Sequence, residues 1–148
     1  MGPPPDEPIG LQLARTAKAV SRAFEGALAE VGGSLASWLI LLSLKSEQHG
    51  AQHQIAAAVG VEGPTLTHHL NRLEREGLVS RTRDPDNRRV QRVRLTEAGD
   101  AAFQRMVGAA RAFDQRLRAG LNSQQLTAFE RVLGQLRENL QLPTGELR

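Results

Sequence analysis

Eight arginines stand close together in the middle of this chain, and guanidinium groups in such numbers bind polyanions. They lie between His68 and Arg94 with only four acidic residues, so this segment carries a net charge of +4. The whole chain carries +3 with neutral histidines, so by subtraction the remainder carries −1. The pattern fits a basic footprint for a phosphate backbone, although a solvated charged surface has the same composition. The arginines are Arg72, Arg75, Arg81, Arg83, Arg88, Arg89, Arg92 and Arg94.

The four histidines are the second group of residues that could do chemistry. His49 and His53 are four residues apart, His68 and His69 are adjacent, and Glu47 is nearby. A histidine and carboxylate metal site is one interpretation of this spacing. The chain has no H-E-x-x-H, no glycine-rich phosphate loop, no G-x-S-x-G and no cysteine nucleophile. We therefore expect no catalytic residue, no cofactor and no bound metal, with a regulatory metal site as the alternative.

The composition indicates a folded protein that stays in the cytoplasm. Apolar residues make up 40% and charged residues 24% of the chain, which is typical of a globular domain. The longest apolar run, Trp38–Leu42, is far shorter than the roughly 20 residues that span a bilayer, and no signal peptide is recognisable. Without cysteine, no disulfide or thiol redox switch can form. We expect no membrane contact.

Two short helices are expected to position the first of these arginines. Gln52–Val59 and Pro64–Glu76 have helical spacing and are separated by Gly60, which predicts a helix-turn-helix. Leucines share one face of the second helix, so at 100° per residue its polar side chains point the other way. The outward residues are Thr65, His68 and Arg72, with Thr67 and Asn71 on the flank.

A β-hairpin is expected to position the remaining arginines. Leu78–Arg83 and Arg89–Leu95 alternate between apolar and polar residues, and the turn between them contains proline, aspartate and asparagine. Such a wing beside a helix-turn-helix can read DNA in two ways: the helix meets the major groove and a tip arginine enters the minor groove. The predicted DNA-binding residues are Pro64, Thr65, Thr67, His68, Asn71, Arg72, Asp86, Arg88 and Arg89.

Three stretches together resemble the MarR family of transcription regulators. They are Leu73–Arg81 at the end of the second helix, Asp86–Arg88 at the wing tip, and Leu95–Gly99 at the start of the next helix. The resemblance extends over nearly the whole chain. It implies that Asp86 braces the wing and that Arg88 inserts into the minor groove.

Long helices on either side of this lobe predict a homodimer. Apolar residues repeat at helical steps from Ile9 to the Gly32-Gly33 pair, and again in two helices after Thr96. These seams either pack within one chain or need a partner. The resemblance implies that they intertwine between two subunits. A two-fold dimer would place two recognition helices roughly 34 Å apart on a near-palindromic operator in duplex DNA.

The expected architecture is mainly α-helical with a small β-hairpin wing. It comprises a flexible arm at residues 1–8, a winged helix-turn-helix lobe at residues 34–95, and dimerisation helices at residues 9–33 and 96–148. The expected function is that of a sequence-specific transcription regulator, a repressor of nearby genes relieved by a small aromatic or anionic ligand. The alternatives are a nonspecific architectural DNA-binding protein and a metal-responsive regulator using histidines.

The resemblance also suggests a ligand site between the dimerisation helices and the DNA-binding lobe. Trp38 would line this site, while Arg15 and Lys18 could meet a carboxylate or phenolate. The sequence favours Trp38 as a core residue over a ligand contact, and the two basic residues as solvated charges on a helix. The ligand itself is not indicated by any residue.

Overall fold

The computed structural model describes residues 6–47 and 49–142, and this part of the chain contains six helices and three short strands. It is mainly helical with one small sheet, as the sequence predicts. Most of the predicted arm at residues 1–8 lies outside the described residues, and Pro8 precedes the first helix. The elements are α1 Ile9–Glu30, α2 Leu35–Glu47, β1 His49–Ala51, α3 Gln52–Val59, α4 Gly63–Arg75, β2 Val79–Arg83, β3 Gln91–Leu95, α5 Glu97–Arg118 and α6 Ser123–Asn139.

Local hydrogen bonds explain where several helices begin and end. The Ser34 hydroxyl accepts from the Ser37 N–H at 3.0 Å, and the Ser37 hydroxyl accepts from the Ser34 N–H at 2.7 Å, which caps α2 reciprocally. Between α3 and α4, Gly60 has a φ of +79°, a left-handed conformation that glycine adopts without strain. The predicted helix-turn-helix is confirmed, with α3 at the predicted bounds and α4 shifted by one residue.

One cluster of buried apolar side chains holds α1 to α5 and the sheet together within residues 1–113. The three leucines that α4 contributes to this cluster are 3% exposed or less. Their burial fixes which face of α4 remains outside, because the opposite side of an α-helix cannot share the core. The cluster consists of Leu28, Ile40, Leu41, Leu44, Ile55, Leu66, Leu70, Leu73, Val79, Val93, Ala102, Phe103 and Met106.

The sheet has three antiparallel strands in the order β1-β3-β2. Val79 pairs with Leu95 at the base of the hairpin, and Arg83 pairs with Gln91 towards its tip. The hairpin is therefore as predicted, but β1, which pairs Gly50 with Val93, is an addition. Three residues are too few to show an alternating pattern, so the sequence did not indicate this strand. Through β1, the base of the wing is attached to the residue immediately before α3.

The Leu95–Gly99 stretch fastens α5 to the end of the helix-turn-helix. The Thr96 hydroxyl donates to the Gly77 carbonyl at 2.6 Å and accepts from the Gly99 N–H at 3.0 Å. A Cβ at Gly99 would overlap the carbonyl oxygen of Leu78. This close approach explains why threonine and glycine stand at these two positions, since a larger residue at Gly99 would push α5 away from the sheet.

Residues 114–148 form a separate compact unit, described here to residue 142. It contains the end of α5 and all of α6, whose start is capped by reciprocal hydrogen bonds between Asn122 and Gln125. None of the α6 residues is buried. Large apolar side chains therefore face solvent in this unit, namely Leu117, Leu121, Phe129, Val132, Leu140 and Leu142.

Within the described residues, no single helix has both the length and the apolar composition needed to cross a membrane. Helices 9–30 and 35–46, bent by 75° at the break between them, meet that requirement only when they are counted together.

Candidate nucleic-acid interface

The outward face of α4 presents polar side chains to solvent. Thr65, His68 and Arg72 are all exposed, on the side opposite the buried leucines. Pro64, also exposed, lies in the first turn of α4, where a missing N–H costs no hydrogen bond. A hydroxyl, an imidazole and a guanidinium thus line one accessible helix face, and all three can hydrogen bond to the edge of a base.

The flank of α4 is more constrained than the sequence suggested. The Thr67 hydroxyl donates to the Gly63 carbonyl at 3.0 Å and accepts from the Gln52 side-chain amide at 2.7 Å. Thr67 is only half-exposed. Its hydroxyl therefore ties the start of α3 to the start of α4, and the DNA contact predicted for Thr67 would have to compete with these two bonds.

Arg81 of β2 joins the wing to α4. Its guanidinium donates to both carboxylate oxygens of Glu74, at 3.1 and 3.3 Å, and to the side-chain oxygen of Asn71. The Arg81 side chain is only 15% exposed. The hydrogen bond from Arg81 holds the pKa of the Glu74 carboxyl below its ordinary value. Arg81, counted from sequence as part of the basic footprint, thus acts as a link between two elements.

The wing turn is held by Asp84 rather than by Asp86. The Asp84 carboxylate accepts from the Arg92 guanidinium at 2.6 Å and from the Asp86 backbone N–H at 2.8 Å. Asp84 is 8% exposed, and these two bonds hold its pKa below the ordinary value, with the backbone bond contributing most. The prediction that Asp86 braces the wing is therefore wrong, because its side chain is exposed and the bracing contacts belong to its neighbour two residues earlier.

The arginines at the wing tip have no acidic partner in the part of the chain that the structure describes. Arg88 and Arg89 are both exposed, and neither forms an ion pair with any of the described residues. Three of the four acidic residues in the basic segment form ion pairs with other arginines. Glu74 pairs with Arg81, Glu76 with Arg72, and Asp84 with Arg92. Arg75, Arg83, Arg88, Arg89 and Arg94 thus have no ion pair among the described residues, and three of these five arginines, Arg83, Arg88 and Arg89, lie at or next to the wing tip.

An open hollow lies between α3, the start of α4 and the wing. Gln52 and His53 line one side, and Arg81 and Arg89 line the other. Sequence reasoning placed Arg89 in the interface but missed Gln52 and His53. Their position at the start of α3 could have identified them from sequence, because that end of the first helix of the helix-turn-helix lies beside the wing. Polar donors and a guanidinium around one hollow suit a phosphate group.

The residues proposed for ligand binding lie apart within one chain. Trp38 stacks on Phe103 with ring centroids 5.4 Å apart and meets the edge of Phe24 at 6.3 Å. Arg15 forms an ion pair with Glu7, ahead of α1. Lys18 precedes Phe24, the α1 residue that contacts Trp38, by six residues, or about 9 Å at 1.5 Å per residue. Trp38 therefore packs in an aromatic cluster with Phe24 and Phe103.

A cavity of about 180 Å³ lies where the α1–α2 turn, α4 and α5 meet. Its polar lining includes Ser34, Ser37, His69, Arg72 and Arg105. Sequence reasoning gave none of these residues a role in binding a small molecule, and it placed Arg72 among the DNA-binding residues. Because Arg72 and His69 belong to α4, a molecule in this cavity would touch the helix that presents His68 to solvent.

Across the described residues, no group of three or more histidine, aspartate or glutamate side chains is placed so that it could hold a metal ion. The side chains of His53, His68 and His69 stand on α3 and α4, and those of His68 and His69 contact each other at a ring-centroid distance of 5.8 Å.

Comparisons with known proteins agree with this geometry. The model of the MarR family matches residues 34–90, from the turn before α2 to the wing. The transcriptional repressor CouR bound to a 23-mer DNA duplex is 29% identical, with a TM-score of 0.76 over 87% of this chain and 92% of that one. MarR from E. coli, as a mutant complexed with operator DNA, is 22% identical with a TM-score of 0.74 over 87% and 93%.

A third solved structure is that of BpsR from Bordetella bronchiseptica, whose DNA binding is described as regulated by 6-hydroxynicotinic acid. It is 24% identical, with a TM-score of 0.72 over 88% of this chain and 98% of that one. The family match spans the helix-turn-helix, β2 and the turn of the wing, and the likeness to the solved structures extends over 87–88% of the chain. Residues 34–90 therefore match the MarR family, and over most of its length the chain shares the fold of the winged helix-turn-helix proteins CouR and MarR.

Proposed function

We propose that this protein represses nearby genes by binding a specific operator in duplex DNA and that a small ligand releases it. Two neighbouring features together carry the proposal. Arg88 and Arg89 have no acidic partner among the described residues, and α4 presents an exposed polar face beside them. The arginines supply charge for the phosphates and the minor groove, and α4 supplies hydrogen-bonding groups for base edges. We assign the protein to the cytoplasm and give it no catalytic activity.

We propose a homodimer as the DNA-binding form. Ile9 near the start of α1 is 68% exposed, and Phe129 and Val132 on α6 are 57% and 55% exposed. Side chains of this size uncovered in such numbers favour an interface with a second copy of the chain. A two-fold axis would then present two α4 helices to DNA, and the operator would be a near-palindrome with half-sites about one helical turn apart.

Selection from a pool of random duplexes tests the operator directly. The protein should enrich an inverted repeat whose half-sites are centred about 10 base pairs apart. A nonspecific architectural protein would enrich no motif and would bind the selected and random duplexes with similar affinity. The same experiment therefore separates the two classes of DNA-binding protein.

Val132→Asp tests the dimer. Because Val132 is exposed in the single chain, this change should leave the monomer folded while placing a charge in the proposed interface. We expect light scattering to show a lower mass and operator affinity to fall together. Arg131→Asp, next to Val132 but on the polar side of α6, is the matched control. A monomeric variant that keeps full operator affinity would contradict the dimer proposal.

The ligand is proposed to be a small aromatic or other organic anion, in line with the 6-hydroxynicotinic acid described for BpsR. Two places in this chain offer cationic side chains for it: the Arg15, Lys18 and Trp38 set, which only a dimer could complete, and the cavity lined by His69 and Arg105. A set of hydroxybenzoic and pyridine carboxylic acids should include compounds that release the operator. Arg15→Ala and Arg105→Ala then show which place matters, because only the variant at the true site should lose the response.

A further inference from the structure

We propose that His53 binds a phosphate of the DNA backbone as an imidazolium, so that DNA binding takes up a proton and tightens as the pH falls. This inference rests on the proposed function, because it needs duplex DNA as the partner. The spacing of His49 and His53 in the sequence is that of a metal site, whereas the structure places His53 in the hollow between α3, α4 and the wing.

The path of the DNA backbone past this hollow follows from the two groove contacts proposed for the lobe. With α4 in the major groove and the wing tip in the adjacent minor groove, one phosphate strand must pass between them, because a strand separates each major groove from its neighbouring minor groove. The hollow lies at that place, with Gly63 and Thr67 of α4 on one side and Arg89 of the wing on the other. A backbone phosphate is therefore the group that meets the hollow.

Two side chains in the lining are available to this phosphate as cations. Arg81 already donates to the Glu74 carboxylate, at 3.1 and 3.3 Å, and the Gln52 amide donates to a hydroxyl of α4 at 2.7 Å. His53 and Arg89 are exposed, and neither forms an ion pair with any of the described residues. An imidazole and a guanidinium thus face the strand together.

A phosphate stabilises the charged form of an imidazole. Phosphate oxygens are negatively charged acceptors, and a neutral imidazole has one N–H donor and one acceptor nitrogen, whereas an imidazolium has two donors. Histidine is the side chain whose charge ordinarily changes between about pH 5 and pH 8. Because charge-assisted hydrogen bonds are the stronger ones, the DNA complex should hold the proton of His53 more tightly than the DNA-free protein does.

The charged groups around His53 provide no other anion within the hollow. Arg81 faces it from β2 and Arg89 faces it from the wing turn, while α3, α4 and β3 add only uncharged side chains to the described lining. Glu62 directly precedes α4 and Glu74 is paired with Arg81, and neither belongs to that lining. A phosphate brought by DNA is therefore the anion that stabilises a charged His53.

Titration of the wild-type protein with duplex DNA at several pH values tests the inference. Between about pH 8 and about pH 6, affinity should rise about fivefold for each occupied hollow, the gain expected when a neutral hydrogen bond becomes charge-assisted. The slope of log affinity against log salt should steepen by about one per hollow, because one more phosphate is neutralised. A duplex of random sequence should show the same rise, since a phosphate contact carries no sequence information.

Two substitutions isolate the contribution of His53. His53→Gln keeps an N–H donor but cannot gain a charge, so the ratio of its affinities at about pH 6 and about pH 8 should fall to about one. His53→Lys is charged throughout this range, so at about pH 8 it should bind DNA as tightly as the wild type does at about pH 6. Both changes are at an exposed position, and circular dichroism establishes that the variants are folded.

His68→Gln is the matched control, because His68 is exposed on the outward face of α4 and is the competing source of proton uptake. This variant should alter base preference and keep the rise in affinity. Binding calorimetry in two buffers of different ionisation enthalpy counts the protons directly. The wild type should take up at most about one proton per chain near pH 7, and His53→Gln should take up none.

The inference is overturned if DNA affinity does not depend on pH, if His53→Gln keeps the rise of the wild type, or if His68→Gln abolishes it. DNA binding that is independent of pH overturns this inference alone and leaves the proposed function standing. If no duplex is bound at any pH, the proposed function fails and this inference fails with it.

Discussion

The arginines of α4 and β2 and the arginines of the wing tip belong to one basic segment but are held in different ways. Arg72 pairs with Glu76, the residue after α4, and Arg81 pairs with Glu74 of α4. Arg88 and Arg89 instead stand exposed on a turn whose backbone is braced by Asp84. An ion pair fixes the position of an arginine side chain and neutralises its charge. A braced turn also fixes the position of its arginines but leaves their charge available. The difference indicates that the helix contributes oriented polar groups and the wing contributes electrostatic attraction.

The largest effect is expected from removing the brace of the wing. Asp84→Ala deletes the acceptor of both the Arg92 guanidinium and the Asp86 N–H, so the turn should loosen and DNA affinity should fall on the order of tenfold. Amide hydrogen exchange should rise at residues 84–90. Asp86→Ala is the matched control and should change exchange little. If the two variants behaved alike, the assignment of the brace to Asp84 would be wrong.

A smaller effect is expected from removing one unpaired charge. Arg89→Ala should weaken binding to every duplex to a similar extent, because Arg89 lines the hollow suited to a phosphate and phosphate contacts carry no sequence information. The slope of log affinity against log salt should shrink by about one. Arg111→Ala on α5 is the control, with an unchanged slope expected. A change in base preference on Arg89→Ala would argue against a phosphate contact.

Acid should weaken the contacts that Asp84 and Glu74 make in and beside the wing. The pKa of Asp84 lies below 3.8 in the folded protein because of the Asp86 N–H and Arg92, and that of Glu74 lies below 4.5 because of Arg81. Carboxyls with lowered folded-state pKa values add stability above their unfolded values and lose this contribution as the pH falls through the folded values. The melting temperature of Asp84→Asn should therefore lie below that of the wild type at neutral pH and approach it below about pH 4. A gap that persists in acid would exclude the charge of Asp84 as the cause.

The smallest effect is expected from freeing a paired arginine. Glu76→Gln breaks the exposed ion pair between Glu76 and Arg72, which contributes only about 0.3–0.5 kcal/mol to stability. Arg72 then becomes available to DNA, so affinity at low salt should rise by a few-fold while the melting temperature hardly moves. Glu130→Gln removes one charge from α6 and controls for net charge. Equal gains in the two variants would mean that the pairing of Arg72 has no specific role.

The elements of this fold were predictable because periodicity identifies them. Helical spacing with Gly60 predicts α3 and α4, and alternation predicts β2 and β3. β1 was not predictable, since three residues show no period. The resemblance implied that Asp86 braces the wing, but the hairpin register brings Arg92 within reach of Asp84, and the sequence alone does not reveal that contact.

The candidate site was predictable in outline but not in its charge distribution. Three leucines that share one helical face identify the outward residues of α4 from sequence alone. Which arginines are neutralised depends on contacts between elements, such as Arg81 with Glu74 seven residues earlier, and net charge does not contain that information. The ligand residues were the least predictable, because a pocket depends on how the helices assemble.

The central claim is that α4 reads the core of the operator and the wing reads its flanks. His68→Ala and Arg88→Ala, titrated at one salt concentration against the selected operator, core-substituted versions and flank-swapped versions, test this division directly. We predict that His68→Ala alters the preference among core bases. Arg88→Ala should cost about 1–3 kcal/mol, mainly where the flanks are A·T-rich. If Arg88→Ala disturbed the core preference while His68→Ala did not, or if Arg88→Ala were harmless on every duplex, the division of roles between helix and wing would be contradicted.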